Sequence, residues 1–226
     1  MKRSLSSRNE PQQRLVIKFS RGEQLKYIAH LDMMRLWHRA MRRAGMPLAY
    51  SQGYNPQPRI AIAAPLAVGV TSEGELMDVF LCRKVSLDFF VRAMMKELPD
   101  GIEIKNVKDI WLKLPSLQSR VCFAEYVIRV AKEMSSDEAS RSMKSLLQKE
   151  SVAWQHYRGA KIHKYDLRQL IEDLWVVQED EESMILGMRL INGQTGAGRP
   201  EQVLLALGFE GAPESVHRTS LIMEAN

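Results

Sequence analysis

Arg35, Arg39, Arg42 and Arg43 crowd into one short stretch with helical spacing, the densest chemical signal in the sequence. Wound as a helix, these four and Asp32 fall within about 100° of arc. Leu31, Met34, Trp37, His38, Met41 and Ala44 take the other side. Like charges one turn apart, such as Arg35 and Arg39, repel by a few tenths of a kcal/mol, and a single Asp32 relieves only part of that. Such a stripe is either a solvated face or a surface for a polyanion. Arginine suits phosphate because its planar fork donates two parallel hydrogen bonds.

The segment that follows favours the polyanion. Tyr50, Gln52, Tyr54, Asn55 and Arg59 are interleaved with Gly53, Pro56 and Pro58. Prolines stiffen a loop and reduce the entropy lost on gripping a ligand. Tyrosines stack on bases, while Gln and Asn read base edges or phosphates. The plain alternative is a proline-rich surface turn. Together, helix and loop predict a nucleic-acid-binding face made of Arg35, Arg39, Arg42, Arg43, Tyr50, Gln52, Tyr54, Asn55 and Arg59.

Two further constellations bear on chemistry. His30 stands just before the arginine helix, two residues from Asp32; a neutral imidazole there would serve as base on a ribose 2′-hydroxyl, with arginines steadying the developing charge. The structural alternative is a helix-capping or hydrogen-bonded buried histidine. Gly193–Pro200 is a glycine-rich loop leading into a helix, where main-chain N–H groups and Arg199 would attract an anion at Gly196 and Gly198. It matches neither a Walker A loop nor GxGxxG, and a hairpin-to-helix connection is its simpler reading. Asp166, in His163-Lys164-Tyr165-Asp166-Leu167-Arg168, reads as a helix N-cap.

Cys82 and Cys122 are the two cysteines. A radical-SAM cluster needs three, closely spaced, so the chain cannot hold one itself. The five histidines form no His-x-x-x-His pair, and no metal site or cofactor is expected.

The string from Tyr27 to Arg35, then Arg42 to Pro47, Tyr50 to Arg59 and Pro65 to Gly69, resembles the radical-SAM-linked protein family. Tyr165-Asp166-Leu167-Arg168 and Arg199-Pro200-Glu201 resemble its later motifs, so the likeness spans nearly the whole chain from Arg14. Members are domains of uncharacterised function, found alone or fused behind a radical-SAM enzyme. The resemblance implies a radical-SAM partner and, from the family's usual company, work on RNA or translation; the RNA expected is a transfer or ribosomal RNA. It supplies no catalytic residue. Three function classes follow: a non-catalytic RNA-binding accessory module, an RNA-processing endonuclease using His30 with Asp32, or a protein-interaction adaptor.

The elements that must hold these residues read as α+β. A strand from Arg14, a helix from His30 to Ala44 closed by Gly45 and Pro47, strands at Arg59–Ala63 and Leu76–Cys82, a helix at Leu87–Leu98 and extended signals to Leu112 give β-α-β-β-α-β, the ferredoxin-like order. After the polar connector Pro115–Arg120 the order restarts: strand Phe123–Ala131, a capping box at Ser135 and Glu138 opening a helix, strand Val152–Tyr157, a short helix Asp166–Leu174, strand Met184–Leu190, a helix from Pro200 to Gly208 and a strand Arg218–Met223. Two ferredoxin-like halves in tandem are therefore expected, 14–114 and 121–226, behind a mobile tail 1–13. The extra helix near Asp166 fits that duplication poorly.

Composition agrees with a globular chain. Hydrophobic content is 45% and charged content 26%, which excludes wholesale disorder. The formal charge is +5, and the Lys26–Arg59 window, with Lys26, five arginines and Asp32, holds an excess of that size. The longest apolar run, Ile60–Val70, contains Pro65 and Gly69 and is shorter than the roughly 18 residues that span a membrane. With a polar start and few cysteines, a cytoplasmic protein without membrane contact is expected. Thirteen methionines suit adaptable packing.

Overall fold

The computed structural model describes residues 9–158, 161–193 and 196–224. The chain is a mixed α/β protein with mostly antiparallel pairing and few helices, and it divides into two compact units, Met1–Arg120 and Val121–Asn226.

The first unit runs β1 (Gln13–Arg21), α1 (His30–Arg43), β2 (Ile60–Ile62), β3 (Thr71–Leu81), α2 (Leu87–Met95), β4 (Ile104–Ile110) and a single turn, α3 (Leu117–Arg120). β1 is central: it pairs antiparallel with β3 on one side and β4 on the other, and β2 adds to β3. Alternation along β1 sends Leu15, Ile17 and Phe19 to the helix-covered face, where they are fully buried with Met77, Val79 and Leu81 of β3. Phe19 meets the Trp37 ring edge-on at 4.9 Å. On the opposite face of β1 only the first position, Arg14, is buried, and it donates from Nε and Nη2 to both Asp78 carboxylate oxygens at 2.8 Å, and further to the carbonyls of Leu114 and Pro115. Asp78 in turn accepts from Leu117 N, so the connector after β4 is anchored on this pair.

α1 ends where the sequence predicts. Gly45 takes φ +69°, Met46 N donates to Met41 O and Gly45 N to Arg42 O, the Schellman closure that needs a left-handed residue. α2 starts at Ser86, whose Oγ accepts from Phe89 N, and stops at Met95 rather than continuing to Leu98. The segment expected to be part of a tail reaches into the fold: Gln12 N donates to Leu81 O, and the Gln13 amide bridges Val85 and Asp109. Met1–Arg8 lie outside the described residues.

The second unit comprises β5 (Val121–Ala131), α4 (Ser136–Gln148), β6 (Ala153–Arg158), β7 (Lys161–Asp166), β8 (Ile171–Glu179), β9 (Ser183–Gly193), β10 (Gly196–Ala197), α5 (Pro200–Leu207) and β11 (Ser215–Met223). β5 pairs with β9 and β11, and β8 and β10 pair with β9, all antiparallel. The expected capping box is present, with Ser135 and Glu138 bonded reciprocally. β5, α4, β8, β9, α5 and β11 follow one another as β-α-β-β-α-β, with β6, β7 and β10 as additions to that order. β6 and β7 form a hairpin of their own, and the expected Asp166–Leu174 helix is instead one 3-10 turn, Arg168–Leu170, followed by β8. The reason is pairing: Ile171 and Leu174 are buried where β8 lies along β9.

Candidate nucleic-acid interface

α1 holds the basic stripe in place by burying Met33, Trp37, Ala40 and Met41. Against expectation Leu31 is 67% exposed, so the buried seam is centred on Met33 and Trp37. Arg35, Arg39, Arg42 and Arg43 are all exposed, and they are not equivalent. Arg35 is paired with Asp32 at 2.9 Å and Arg43 with Glu97 at 2.6 Å, whereas Arg39 and Arg42 have no ion pair among the described residues. Arg35, Arg39 and Arg43 line one groove of about 700 Å³ together with Tyr27, Leu98 and Glu97; Arg42 does not line it.

Two groove residues escape a reading of the sequence. Tyr27 is 73% exposed at the groove edge, with the Lys26 ammonium 5.3 Å from its ring centre. A hydrogen bond from Lys26 to Glu23 holds the lysine charged above its ordinary range. Glu97 closes the far end from the turn after α2, a long-range approach with no local signature. The wall before α1 is fixed by Arg21, buried at 3% exposure, which donates to the carbonyls of Leu25, Lys26 and Ile28 at 2.7–3.0 Å.

The loop after α1 splits in two. Tyr50 makes packing contacts: its main-chain N donates to Asn9 Oδ1 at 3.0 Å, its hydroxyl lies 3.5 Å from His38 Nε2, and its main chain bridges to Pro58. The Tyr50 ring is half-buried beside His38, so less of it is open to a stacking partner than of Tyr54. Gln52, Tyr54 and Asn55 project beyond that bridge and are exposed, Tyr54 completely. Ser51 and Gln57 clip the base of the loop, with Ser51 N to Gln57 O at 2.8 Å and Gln57 N to Ser51 Oγ at 2.9 Å. Arg59 is exposed and lies over the Phe80 ring at 4.3 Å. Partial burial, and then the nearby Arg42 charge, depress the His38 pKa.

His30 and Asp32 do not come together. His30, the first residue of α1, is half-buried in a crevice of about 10 Å³ beside buried Glu75 and Arg21. Asp32 faces the basic groove, bound to Arg35. Successive residues at i and i+2 on a helix point to different sides. A crevice of that size has no room for a ribose, so the pairing of His30 as base with Asp32 in support gains nothing from the geometry.

The glycine-rich loop is also different in detail. Gln194 and Thr195 lie outside the described residues. Gly198 N donates to Ile191 O at 2.9 Å, Gly196 pairs with Gly193 in the β9–β10 hairpin, and Pro200 has no N–H. The Gly198 N–H is thus already engaged with β9. Arg199 is exposed and reaches a hollow of about 480 Å³ shared with β7. Asp166 Oδ1 accepts from Val152 N and Arg168 N, which holds its carboxyl below the ordinary range, and Arg168 fastens Leu147 O and Ile171 O. Among the described residues no group of three or more His, Cys, Asp or Glu is placed to hold a metal, and no helix is long and apolar enough to cross a membrane.

None of the curated proteins matches the chain. Similar solved structures include a Cbf5–Nop10–Gar1 complex, at 11% identity over 92% of this chain and 48% of that one, with a TM-score of 0.49. Another is an H/ACA RNP bound to a substrate RNA containing 2′-deoxyuridine, at 11% identity over 92% and 47%, with a TM-score of 0.47. The chain spans about half the length of each. A family model matches residues 14–200, from the second residue of β1 to the first residue of α5, and so takes in both the arginine helix and the Tyr165–Arg168 turn. The chain belongs to that family, described as an uncharacterized protein conserved in bacteria (DUF2344).

Proposed function

We propose that the chain is a non-catalytic RNA-binding accessory module that works with a separate radical-SAM enzyme in RNA modification or translation-related processing. The observation that carries the RNA half is the basic groove of α1, where Arg35, Arg39 and Arg43 face one channel edged by the exposed Tyr27 ring. Exposed ion pairs are worth about 0–1 kcal/mol, so Asp32 and Glu97 yield readily to phosphate. The Tyr54 loop extends the same surface chemistry with an exposed ring for stacking. The radical-SAM half rests on the resemblance carried by Tyr27–Arg35 and Tyr50–Arg59.

Fluorescence anisotropy with a labelled single-stranded RNA and with a transfer RNA tests the first half. Arg39→Glu/Arg43→Glu should weaken binding and make the salt dependence shallower by about 1.4 in log–log slope for a single strand. Unchanged affinity in that double variant overturns the RNA reading. Gentle isolation from native cells, identifying co-purifying RNA and protein together, tests the second half; a catch without a radical-SAM enzyme counts against it.

One observation favours an adaptor instead: Leu31 and Tyr27 are large and exposed next to the arginines. An acidic protein partner would use both the charge and the apolar surface. A stable protein complex free of nucleic acid, weakened by Leu31→Asp, is the result expected of that reading.

A further inference from the structure

His163–Asp166 and Gly196–Gln202, distant in the sequence, meet in the second unit around the hollow of about 480 Å³. Sites for small ligands fall at about 300–1,000 Å³. A bare inorganic anion would leave most of this hollow empty. His163, Lys164 and Arg199 bring cationic or protonatable groups to the lining, against Asp166, whose carboxylate is already bonded by two main-chain N–H groups. Tyr165 donates its hydroxyl to Gln202 Oε1 at 2.5 Å, which leaves the Gln202 NH₂ as a donor. Arg199 lies near enough to that hydroxyl to act on it electrostatically, opposing the upward push of partial burial on the Tyr165 pKa. Gly196, Ala197 and Leu170 line another side of the hollow and give it an apolar wall. The end of α5 contributes little by itself, since Pro200 lacks an N–H and the N–H groups of Gln202 and Val203 bond to Arg199 O.

We propose that this hollow binds a nucleotide-sized phosphomonoester, with the phosphate on Arg199 and Lys164 and the base edge at the Gln202 amide. The site lies wholly within the second unit and does not rest on the RNA reading of α1. Its ligand is either a free mononucleotide or the 5′-phosphorylated end of an RNA.

Isothermal titration of the full chain with AMP, adenosine and inorganic phosphate tests it. AMP should bind saturably and about tenfold or more tighter than either fragment, and Arg199→Ala/Lys164→Ala should lose about tenfold. Lys164→Ala alone, at an exposed strand position away from the α5 cap, should lose a smaller but measurable part. Arg39→Glu/Arg43→Glu should leave AMP binding unchanged, which separates this site from the groove. A 5′-phosphorylated trinucleotide that outcompetes its 5′-hydroxyl counterpart and AMP assigns the site to an RNA end; AMP that outcompetes both assigns it to a free nucleotide. AMP binding no tighter than adenosine, or untouched by the Arg199 and Lys164 substitutions, overturns the proposal.

Discussion

Arg43 donates from Nε to the Glu97 carboxylate at 2.6 Å and from Nη2 to the Glu97 main-chain carbonyl at 2.8 Å. The last arginine of the α1 stripe is thereby tied to the turn after α2, and the groove keeps a carboxylate at one end. A phosphate arriving there must displace the carboxylate contact while the main-chain contact can stay. The basic face is thus graded: Arg39 and Arg42 are available at once, Arg35 and Arg43 after an exchange.

Glu97→Gln removes the competitor without removing the carbonyl that positions Arg43. Under the RNA reading, affinity for single-stranded RNA should rise severalfold, read by anisotropy at low salt. Stability should fall by no more than about 1 kcal/mol, since the Arg43 side chain is 55% exposed. A drop in RNA affinity would show that Glu97 supports the site instead of competing in it.

Asp78→Ala should be far more damaging. It leaves the Arg14 guanidinium, 1% exposed, without its carboxylate and frees Leu117 N as well. Breaking a buried pair from one side costs about 3–5 kcal/mol. Urea denaturation followed by circular dichroism measures the loss.

Leu31→Ala and Met33→Ala discriminate the two faces of α1. The first should change stability by no more than about 0.5 kcal/mol, being at an exposed site. The second should cost about 2–5 kcal/mol, because Met33 is 3% exposed in the core. Thermal melts of the pair give the comparison directly.

His38 gives stability a pH dependence with a definite sign. Burial and Arg42 lower its folded-state pKa, so the folded chain prefers the neutral ring. Its contribution is fully present above the unfolded value of about 6.5, and is lost as pH falls from there towards the folded value. His38→Gln should flatten the fall in stability as pH drops below about 6.5 when denaturation midpoints of the two proteins are compared.

How far these residues can be read from sequence differs from place to place. The ends of α1 are local events, a Gly45 turn and Pro47, and the four exposed arginines follow from charge alone. The choice between Leu31 and Met33 is not local, for apolar residues flank both sides of the first turn; the ring of Trp37 packing on Phe19 decides the phase. Leu167, Leu170, Ile171 and Leu174 carry the i, i+3, i+4, i+7 spacing of a helix, yet pairing with β9 draws the segment into a strand. Tyr50 reads as an open stacking ring, and nothing local to it signals that the His38 ring packs beside it. The hollow between β7 and α5 joins residues far apart in the chain, and only the folded hairpins bring them together.

The Arg21 clamp has a thermodynamic corollary. Three main-chain carbonyls in the segment leading into α1, those of Leu25, Lys26 and Ile28, are held by one buried guanidinium, so the wall that carries Tyr27 is ordered before any ligand arrives. Association at the groove should then be docking onto a rigid surface, with a small heat-capacity change, unlike the large one that accompanies coupled folding. Arg21→Met, keeping the bulk but not the donors, should convert the first behaviour into the second.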